Sequence, residues 1–172
     1  MRRTVTPLLV LAFVASVASG QSYPPDEQAI VDQIRQSWRE ASKGNHDAVS
    51  EIDFGLTKSG EARFKDYAVV VASSDGGLWD ISTARMQARL LREDDFKLNV
   101  TPRHIHVMFL GSAKDVVYVS YYLVGTITGS SNDVQDYRTR VSQILERIDV
   151  NWVIRGAHYS RLSGGTGIPS GN

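Results

Sequence analysis

The stretch that decides the fold lies near the C-terminus, where residues 140–147 read RVSQILER and residues 152–160 read WVIRGAHYS. β-Branched and other apolar residues recur through both segments with polar residues between them, as expected for strands that bury one face. A short polar turn around Asp149 joins the two segments. The stretch therefore predicts a hairpin of two adjacent strands.

The order of residues in this hairpin resembles the last hairpin of the SnoaL-like, DUF4440-type family, which belongs to the nuclear transport factor 2-like (NTF2-like) superfamily. The matching residues are Arg140, Val141, Ser142, Arg147, Asp149, Trp152, Ile154, His158 and Ser160. Residues 43–49 (KGNHDAV) are similar to the joint between the first two helices of that family. The resemblance covers about residues 26–163. It implies a curled, cone-shaped sheet whose helices close over a pocket.

The front half of the chain predicts three helices, from the spacing of apolar residues and from the capping residues beside them. The predicted ranges are 26–43, 45–52 and 82–92. Asn45 is the expected cap of the second helix, and Ser82 or Thr83 that of the third. The expected apolar stripe of the third helix consists of Met86, Leu90 and Leu91.

The remaining segments predict strands at residues 67–72, 78–81, 97–110, 115–128, 135–148 and 151–162. The last four strands follow one another with short turns, so we expect consecutive antiparallel hairpins with the helices on one face. The predicted fold class is α+β. With the resemblance, this becomes a strongly curved antiparallel sheet with the N-terminal helices on its concave face. Which strand face lines that side stays open, because one bulge would exchange the two faces.

The N-terminal residues predict an export signal. Arg2 and Arg3 precede the apolar run 7–18 (PLLVLAFVASVA), and Ala18-Ser19-Gly20 offers small residues for cleavage. The run is shorter than the roughly 20 apolar residues that span a bilayer, although an uncleaved anchor is the alternative. We expect a signal peptide at 1–20, a linker at 21–25, one domain at 26–163, a disordered tail at 164–172 and a secreted or periplasmic location.

Composition and motifs exclude several classes of protein. The chain has no Cys, which excludes disulfides, thiol nucleophiles and thiolate metal sites. Its 19 basic and 19 acidic residues balance, and loss of the signal would leave a net charge of −2, which argues against a nucleic-acid partner. No phosphate loop, dinucleotide glycine motif, zincin helix or Ser-His-Asp order occurs. We expect no cofactor, no nucleic acid and, after cleavage, no membrane partner.

Two residues are candidate catalytic groups. Asp80 follows Leu78-Trp79, and an acid in an apolar pocket would have a raised pKa and could transfer protons; capping the third helix is its alternative role. His158 is a candidate general base, because imidazole titrates near neutrality. In the resembling family the matching His has a structural or pocket-polarising role, which is the preferred interpretation here.

A metal site is the less favoured interpretation of the histidines. His104 and His106 stand two apart on one strand, and His158 could supply a third ligand from a neighbouring strand. No acidic helper stands at metal-binding spacing. We therefore interpret these residues as hydrogen-bonded groups on a sheet face and expect no metal.

Seven residues are predicted ligand contacts: Trp38, Trp79, His106, Tyr118, Tyr122, Gln143 and Tyr159. Aromatic rings supply large apolar surfaces, and a few polar groups would orient a ligand. The resemblance extends to the association domain of the calcium/calmodulin-dependent kinase, in which Arg residues matching Gln143 and Tyr159 help to line an anion-accepting pocket. The uncharged residues of this chain favour a neutral or aromatic ligand instead.

Three functions remain open at this point. The first is a homodimeric protein, paired through its exposed sheet face, that binds a small, largely apolar molecule. The second is an isomerase, cyclase or dehydratase that uses acid–base chemistry, and it predicts a pocket in which an ionisable group with a shifted pKa lies beside a hydroxyl. The third is a non-catalytic assembly module, which predicts a filled pocket and an apolar outer sheet face.

Overall fold

The computed structural model describes residues 22–56, 67–72, 80–93 and 96–162. Within these ranges the helices are α1 (Pro25–Ser42), α2 (His46–Phe54) and α3 (Ala84–Glu93). The strands are β1 (Ala68–Ala72), β2 (Asp80–Thr83), β3 (Lys97–Leu110), β4 (Val116–Thr128), β5 (Val134–Ile148) and β6 (Asn151–Arg161). The α+β prediction is confirmed. The predicted signal peptide and C-terminal tail lie outside the described residues.

The six strands form one sheet in the order β2–β1–β6–β5–β4–β3. The four long strands pair as consecutive antiparallel hairpins, as predicted. β1 runs parallel to β6, so the sheet is mixed rather than wholly antiparallel. Short turns impose the antiparallel direction on β3 to β6, whereas β1 and β6 are far apart in sequence and no turn fixes their relative direction.

Burial distinguishes the two faces of the sheet. The inner face packs against the helices, and its buried residues on β4 and β5 are Val117, Val119, Tyr121, Leu123, Thr139, Val141, Gln143 and Leu145. The alternate residues of the same strands point away from the core and form the outer face. These outer residues include Tyr118, Ser120, Tyr122, Arg140 and Ser142.

A β-bulge in β3 sets the direction of its histidines. Arg103 pairs with Tyr122 and His106 pairs with Ser120, so β3 has one residue more than β4 between these pairs. His104 has φ = 51° there, a left-handed conformation that residues other than glycine seldom adopt. Because of the bulge, both His104 and His106 lie on the outer face.

Helix α1 covers part of the inner face and protects the free edge of β3. Ile30, Val31 and Ile34 are buried in the core. At the end of the helix the Ser42 hydroxyl accepts a hydrogen bond from the Val100 N–H at 3.2 Å and lies 3.4 Å from the carbonyl oxygen of the same residue. The helix therefore gives partners to backbone groups that an edge strand would otherwise leave exposed.

Helix α2 begins at the predicted cap and ends two residues later than predicted. The Asn45 side chain accepts a hydrogen bond from the Ala48 N–H at 3.4 Å. The helix continues past Ile52 to Phe54, and Gly55 ends it in a left-handed conformation with φ = 64°.

None of the described helices has the length and apolar character needed to cross a bilayer.

Helix α3 also has a predicted cap, because Thr83 Oγ1 accepts a hydrogen bond from the Met86 N–H at 3.3 Å. Its predicted apolar stripe needs correction. Ala84 and Ala88 are fully buried, whereas Met86 is 46% and Leu90 41% exposed. Small side chains allow a helix to approach its neighbours closely, so here the two alanines face the core in place of Met86 and Leu90. Leu91 packs against the core, as predicted.

Candidate functional site

A pocket of about 400 Å³ lies between the helices and the inner face of the sheet. Most of the residues that line it are apolar, among them Val69, Val71, Leu91, Phe96, Leu98 and Ile154. The polar residues of the lining include Ser37, Trp38, His46, Asp53, Tyr137 and Tyr159. A concave, mostly apolar surface with a few polar groups is the usual form of a site for a small organic molecule.

Asp53, near the end of α2, is the one carboxylate among the described residues that line this pocket. The Ser37 hydroxyl on α1 donates a hydrogen bond of 2.7 Å to Asp53 Oδ2. Burial raises the pKa of Asp53 to about 7, and the hydrogen bond from Ser37 opposes this rise because it stabilises the charged carboxylate. Both protonation states of Asp53 are therefore populated near neutral pH.

Two phenols, of the buried Tyr121 and the partly buried Tyr159, lie close to this acid. The Trp38 indole N–H donates to the Tyr121 oxygen at 2.8 Å, and the Trp38 ring packs edge-on against Tyr159 with centroids 6.4 Å apart. Burial raises the pKa of Tyr121 and of Tyr159 above the ordinary value. The charge of Asp53 raises both pKa values further, and a hydrogen bond with Gln143 opposes the rise at Tyr159. The phenols are therefore neutral hydrogen-bonding groups under physiological conditions.

The pocket brings together three of the predicted site residues. Trp38 and Tyr159 line it, and the buried Gln143 hydrogen-bonds to Tyr159 from behind. The role proposed for them from the sequence, contact with a ligand that is not anionic, is compatible with the apolar lining.

Four other predicted residues lie on the outer face instead. His106, Tyr118, Tyr122 and the exposed His158 line a separate groove there, away from Asp53. His158 is therefore not a base of the inner pocket in this fold. Trp79 lies outside the described residues, and Asp80 is described only as the first residue of β2.

Ser37 and Asp53 are not among the site residues predicted from the sequence. Asp53 stands one residue beyond the predicted second helix, which in fact continues to Phe54. One signal was present: Ser37 stands seven residues after Ile30 and three after Ile34, so a polar residue interrupts the apolar stripe of α1. A polar residue buried in such a stripe needs a hydrogen-bond partner, which in this fold is Asp53.

The described residues contain no group of three or more His, Asp or Glu side chains placed to hold a metal ion. His104, His106 and His158 line the outer groove, but they do not form a group that could hold a metal ion.

Comparison with known proteins identifies the fold through structure rather than through sequence. No protein-family model matches the chain. No curated protein matches it significantly either. In contrast, 127 chains of solved structures match.

Three of these structures illustrate the match. An NTF2-like protein from Cytophaga hutchinsonii superposes with a TM-score of 0.57 at 13% identity, over 81% of this chain and 100% of its own. The association domain of C. elegans CaMKII superposes with a TM-score of 0.54 at 13% identity, over 78% and 95%. A candidate dehydratase of the NTF2-like family from Streptomyces avermitilis gives 0.55 at 14% identity, over 80% and 99%.

The superpositions extend over 78–81% of this chain and 95–100% of each neighbour, so the shared fold covers nearly the whole of each neighbour. Their low sequence identities limit the likeness to the fold. The DUF4440-type subdivision stays a prediction. The chain thus has the α+β cone fold of the NTF2-like proteins, as its last hairpin led us to expect.

Proposed function

We propose that this protein binds a small, largely apolar molecule in the inner pocket and transfers a proton to or from it with Asp53. One observation carries the proposal. A carboxyl group whose pKa is raised to about 7 lies on the wall of an apolar pocket, hydrogen-bonded to the Ser37 hydroxyl. Perturbed pKa values of this kind cluster at functional sites.

The lining supports binding of an apolar ligand with a polar end. Val69, Val71 and Leu98 line the pocket with apolar surface, and Asp53 and Tyr159 provide hydrogen-bonding groups. Transfer of an apolar molecule from water into such a pocket is favourable by about 25 cal/mol for each Å² of apolar surface buried. Its polar group would then be oriented by the carboxyl and the phenol.

The state of Asp53 supports proton transfer rather than binding alone. A general acid or base works best when its pKa is near the ambient pH, because the required protonation state and the driving force are then both available. A candidate dehydratase among the structural neighbours is compatible with an enzyme on this fold, although its sequence is too different to transfer an activity. A purely structural assembly role is less well supported, because side chains do not fill the pocket.

A general-base probe tests the chemistry. The probe is 5-nitrobenzisoxazole, a flat apolar molecule whose ring opens when a base removes its C–H proton. We expect the purified protein to accelerate this opening, with a rate that rises with pH and levels off above about pH 7. The Asp53→Asn variant should lose about 100-fold in rate, since general-base catalysis typically contributes that much or more.

The matched control is Asp32→Asn, which removes an exposed carboxylate from α1 and leaves the pocket lining intact. This variant should react like the wild type. A wild-type protein no faster than Asp53→Asn would refute proton transfer by Asp53. Binding is measured separately, by native mass spectrometry of the purified protein for a copurifying small molecule.

Export and self-association complete the proposal. We propose that residues 1–20 are removed during secretion to the periplasm or medium, so that intact-mass measurement of the exported protein gives an N-terminus at Gln21.

We also propose a homodimer through the outer face, near the exposed Met108, Leu110 and Ile144. Some structural neighbours are association or hub domains, which is compatible with self-association. Light scattering of the wild type and of Ile144→Glu tests the homodimer, with the monomer expected for the variant.

A further inference from the structure

A row of four residues crosses the outer face of the sheet. His106 on β3 pairs with Ser120 on β4, Ser120 with Ser142 on β5, and Ser142 with His158 on β6. The row therefore has a histidine at each end and two small hydroxyl residues between them. Neighbouring strands are about 4.8 Å apart, so the backbones of the two histidines are separated by about 14 Å.

The small residues of this row form the floor of a groove of about 390 Å³. Tyr118 and Tyr122 stand two residues before and after Ser120 on the same face, and their larger side chains rise on either side of it. Arg140 stands two residues before Ser142 and pairs with Ser160, whose hydroxyl accepts a hydrogen bond from the Arg140 guanidinium at 3.2 Å. The groove is thus a consequence of two serines surrounded by bulky side chains.

The bulge in β3 adds a third histidine to the groove. His104 has the left-handed φ of 51°, and its ring packs edge-on against Tyr122 with centroids 6.2 Å apart. Left-handed backbone conformations are unfavourable for residues with a Cβ atom and recur where a side chain has a functional direction. Three of the four histidines of the chain therefore face one groove.

The polar groups of the described residues that line the groove include several hydrogen-bond donors and no carboxylate. Its polar groups are one guanidinium, three imidazoles, and the hydroxyls of serines and tyrosines, and no acid occurs among the described residues that line it. Imidazole N–H groups donate hydrogen bonds in the neutral and in the protonated form, and guanidinium binds phosphate and carboxylate oxygens. On a chain with balanced charge, this grouping gives a local surface that attracts anions.

We propose that the outer groove is a binding site for a phosphate or sulfate group carried by a small molecule. Donors lie on three sides of the groove: His106 at one end of the row, His158 at the other and Arg140 beside it, with the serine hydroxyls beneath. A tetrahedral anion presents oxygens in several directions and accepts from all of these. The tyrosine rings at the borders suit an attached ring.

A metal ion and a second copy of the chain fit the groove less well. The donors do not form a metal-binding cluster. A second copy placed over the groove would bring Arg140 and the three histidines of each protomer face to face. The proposed homodimer contact is therefore placed at Met108, Leu110 and Ile144, at the Tyr118 end of the groove, where exposed apolar side chains are present.

Binding is tested with two probes, inorganic phosphate and phenyl phosphate, titrated into the full-length protein and followed by two-dimensional NMR. We expect saturable shifts at His106, Ser120, Ser142 and His158, with phenyl phosphate the tighter ligand. Equal affinity of the two probes would indicate an adventitious ion only and would overturn the site. Shifts confined to the inner pocket around Asp53 would overturn it as well, without affecting the proposal of proton transfer.

Substitutions test which residues of the outer groove bind the phosphate group. Arg140→Gln should weaken phenyl phosphate binding at least about tenfold, because a charge-assisted hydrogen bond is lost. The matched control is Arg147→Gln on the same strand, whose guanidinium lies over the Trp152 ring outside the groove; it should bind like the wild type. Ser142→Leu, which fills the floor without removing charge, should also abolish binding. Unchanged affinity in Arg140→Gln, or equal loss in Arg147→Gln, contradicts the proposal.

Discussion

The Ser37 hydroxyl lies 2.7 Å from Asp53 Oδ2 and links helix α1 to helix α2 at the wall of the inner pocket. Ser37 is only 4% exposed and Asp53 is partly buried, so the hydrogen bond is partly shielded from water. Two opposing effects meet in this contact. Burial disfavours the carboxylate, and the hydroxyl stabilises it, with the balance at a pKa of about 7.

Removal of the Ser37 hydroxyl should raise the pKa of Asp53. In Ser37→Ala the carboxylate loses the hydrogen bond that stabilises its charged form, so we expect the pKa of Asp53 to rise above 7. The measurement is a ¹³C NMR titration of the Asp53 carboxyl carbon. Ser50→Ala is the control: it also removes a buried hydroxyl, but one that donates to the His46 carbonyl at 2.8 Å. A lower pKa in Ser37→Ala would mean that the hydroxyl does not stabilise the charge.

The raised pKa of Asp53 also predicts a dependence of stability on pH. The folded state holds the proton more tightly than the unfolded state, so this contribution to stability is complete below about pH 4 and is lost as the pH rises through 7. Asp53→Asn carries no charge to desolvate. Above pH 7 we therefore expect its free energy of unfolding to exceed that of the wild type, by about 2–4 kcal/mol.

Urea denaturation at pH 4 and at pH 8 checks this prediction. The difference between the two proteins should be small at pH 4 and large at pH 8. Asp32→Asn, which removes an exposed carboxylate, should follow the wild type at both pH values. Parallel stability profiles of wild type and Asp53→Asn would show that the native carboxyl is not held in its neutral form.

Much of the fold could be predicted because its determinants are local. Alternating residues define β3 to β6, and the short turns between them force neighbouring strands to pair. The Asn45 and Thr83 caps act within one helical turn, and both were predicted from residue type. In contrast, the parallel pairing of β1 with β6 depends on contacts between distant segments, which no local pattern records.

The site was harder to predict because its contacts are tertiary. Ser37 and Asp53 are 16 residues apart and meet only when α1 packs beside α2. The histidines were identified as a group, but the face they occupy depends on the bulge at His104, and the sequence gives no clear signal for that bulge. Residue types thus indicated the chemistry available to the chain, whereas packing decided which groups share a pocket.

Thr139 provides a test of the packing of the inner face. The residue is fully buried on β5, and its hydroxyl has no hydrogen-bond partner among the described residues. A buried hydroxyl without a partner costs about 1–3 kcal/mol in protein mutational data. Thr139→Val replaces it with a methyl group of similar shape, so we expect the free energy of unfolding to rise by about 1 kcal/mol.

Thr139→Ser is the matched control for this change, because it keeps the hydroxyl and removes the methyl group. It should be destabilised relative to the wild type in the same urea titration. If Thr139→Val were instead the less stable variant, the hydroxyl must have a partner that stabilises the fold.

Gly125 marks a close approach of two strands. It pairs with Val100 across β3 and β4, and a Cβ atom at Gly125 would overlap the Asn99 carbonyl oxygen and come within 2.8 Å of the Val100 Cα. Both of these are backbone atoms, which cannot turn aside as the end of a flexible side chain can. Gly125→Ala should therefore force the strands apart and destabilise the fold by at least about 1–3 kcal/mol, as overpacking generally does.

Gly129→Ala is the matched control, since a Cβ atom there would meet no atom within 4 Å. Its free energy of unfolding should stay within about 0.5 kcal/mol of the wild type, as for most surface substitutions. Thermal or urea denaturation of the two variants measures the difference directly. Equal stability of Gly125→Ala and Gly129→Ala would mean that β3 and β4 can separate at Val100 at little cost. Ser42 on α1 contacts the backbone of Val100 at the free edge of β3. These contacts would then contribute little to the stability of that edge.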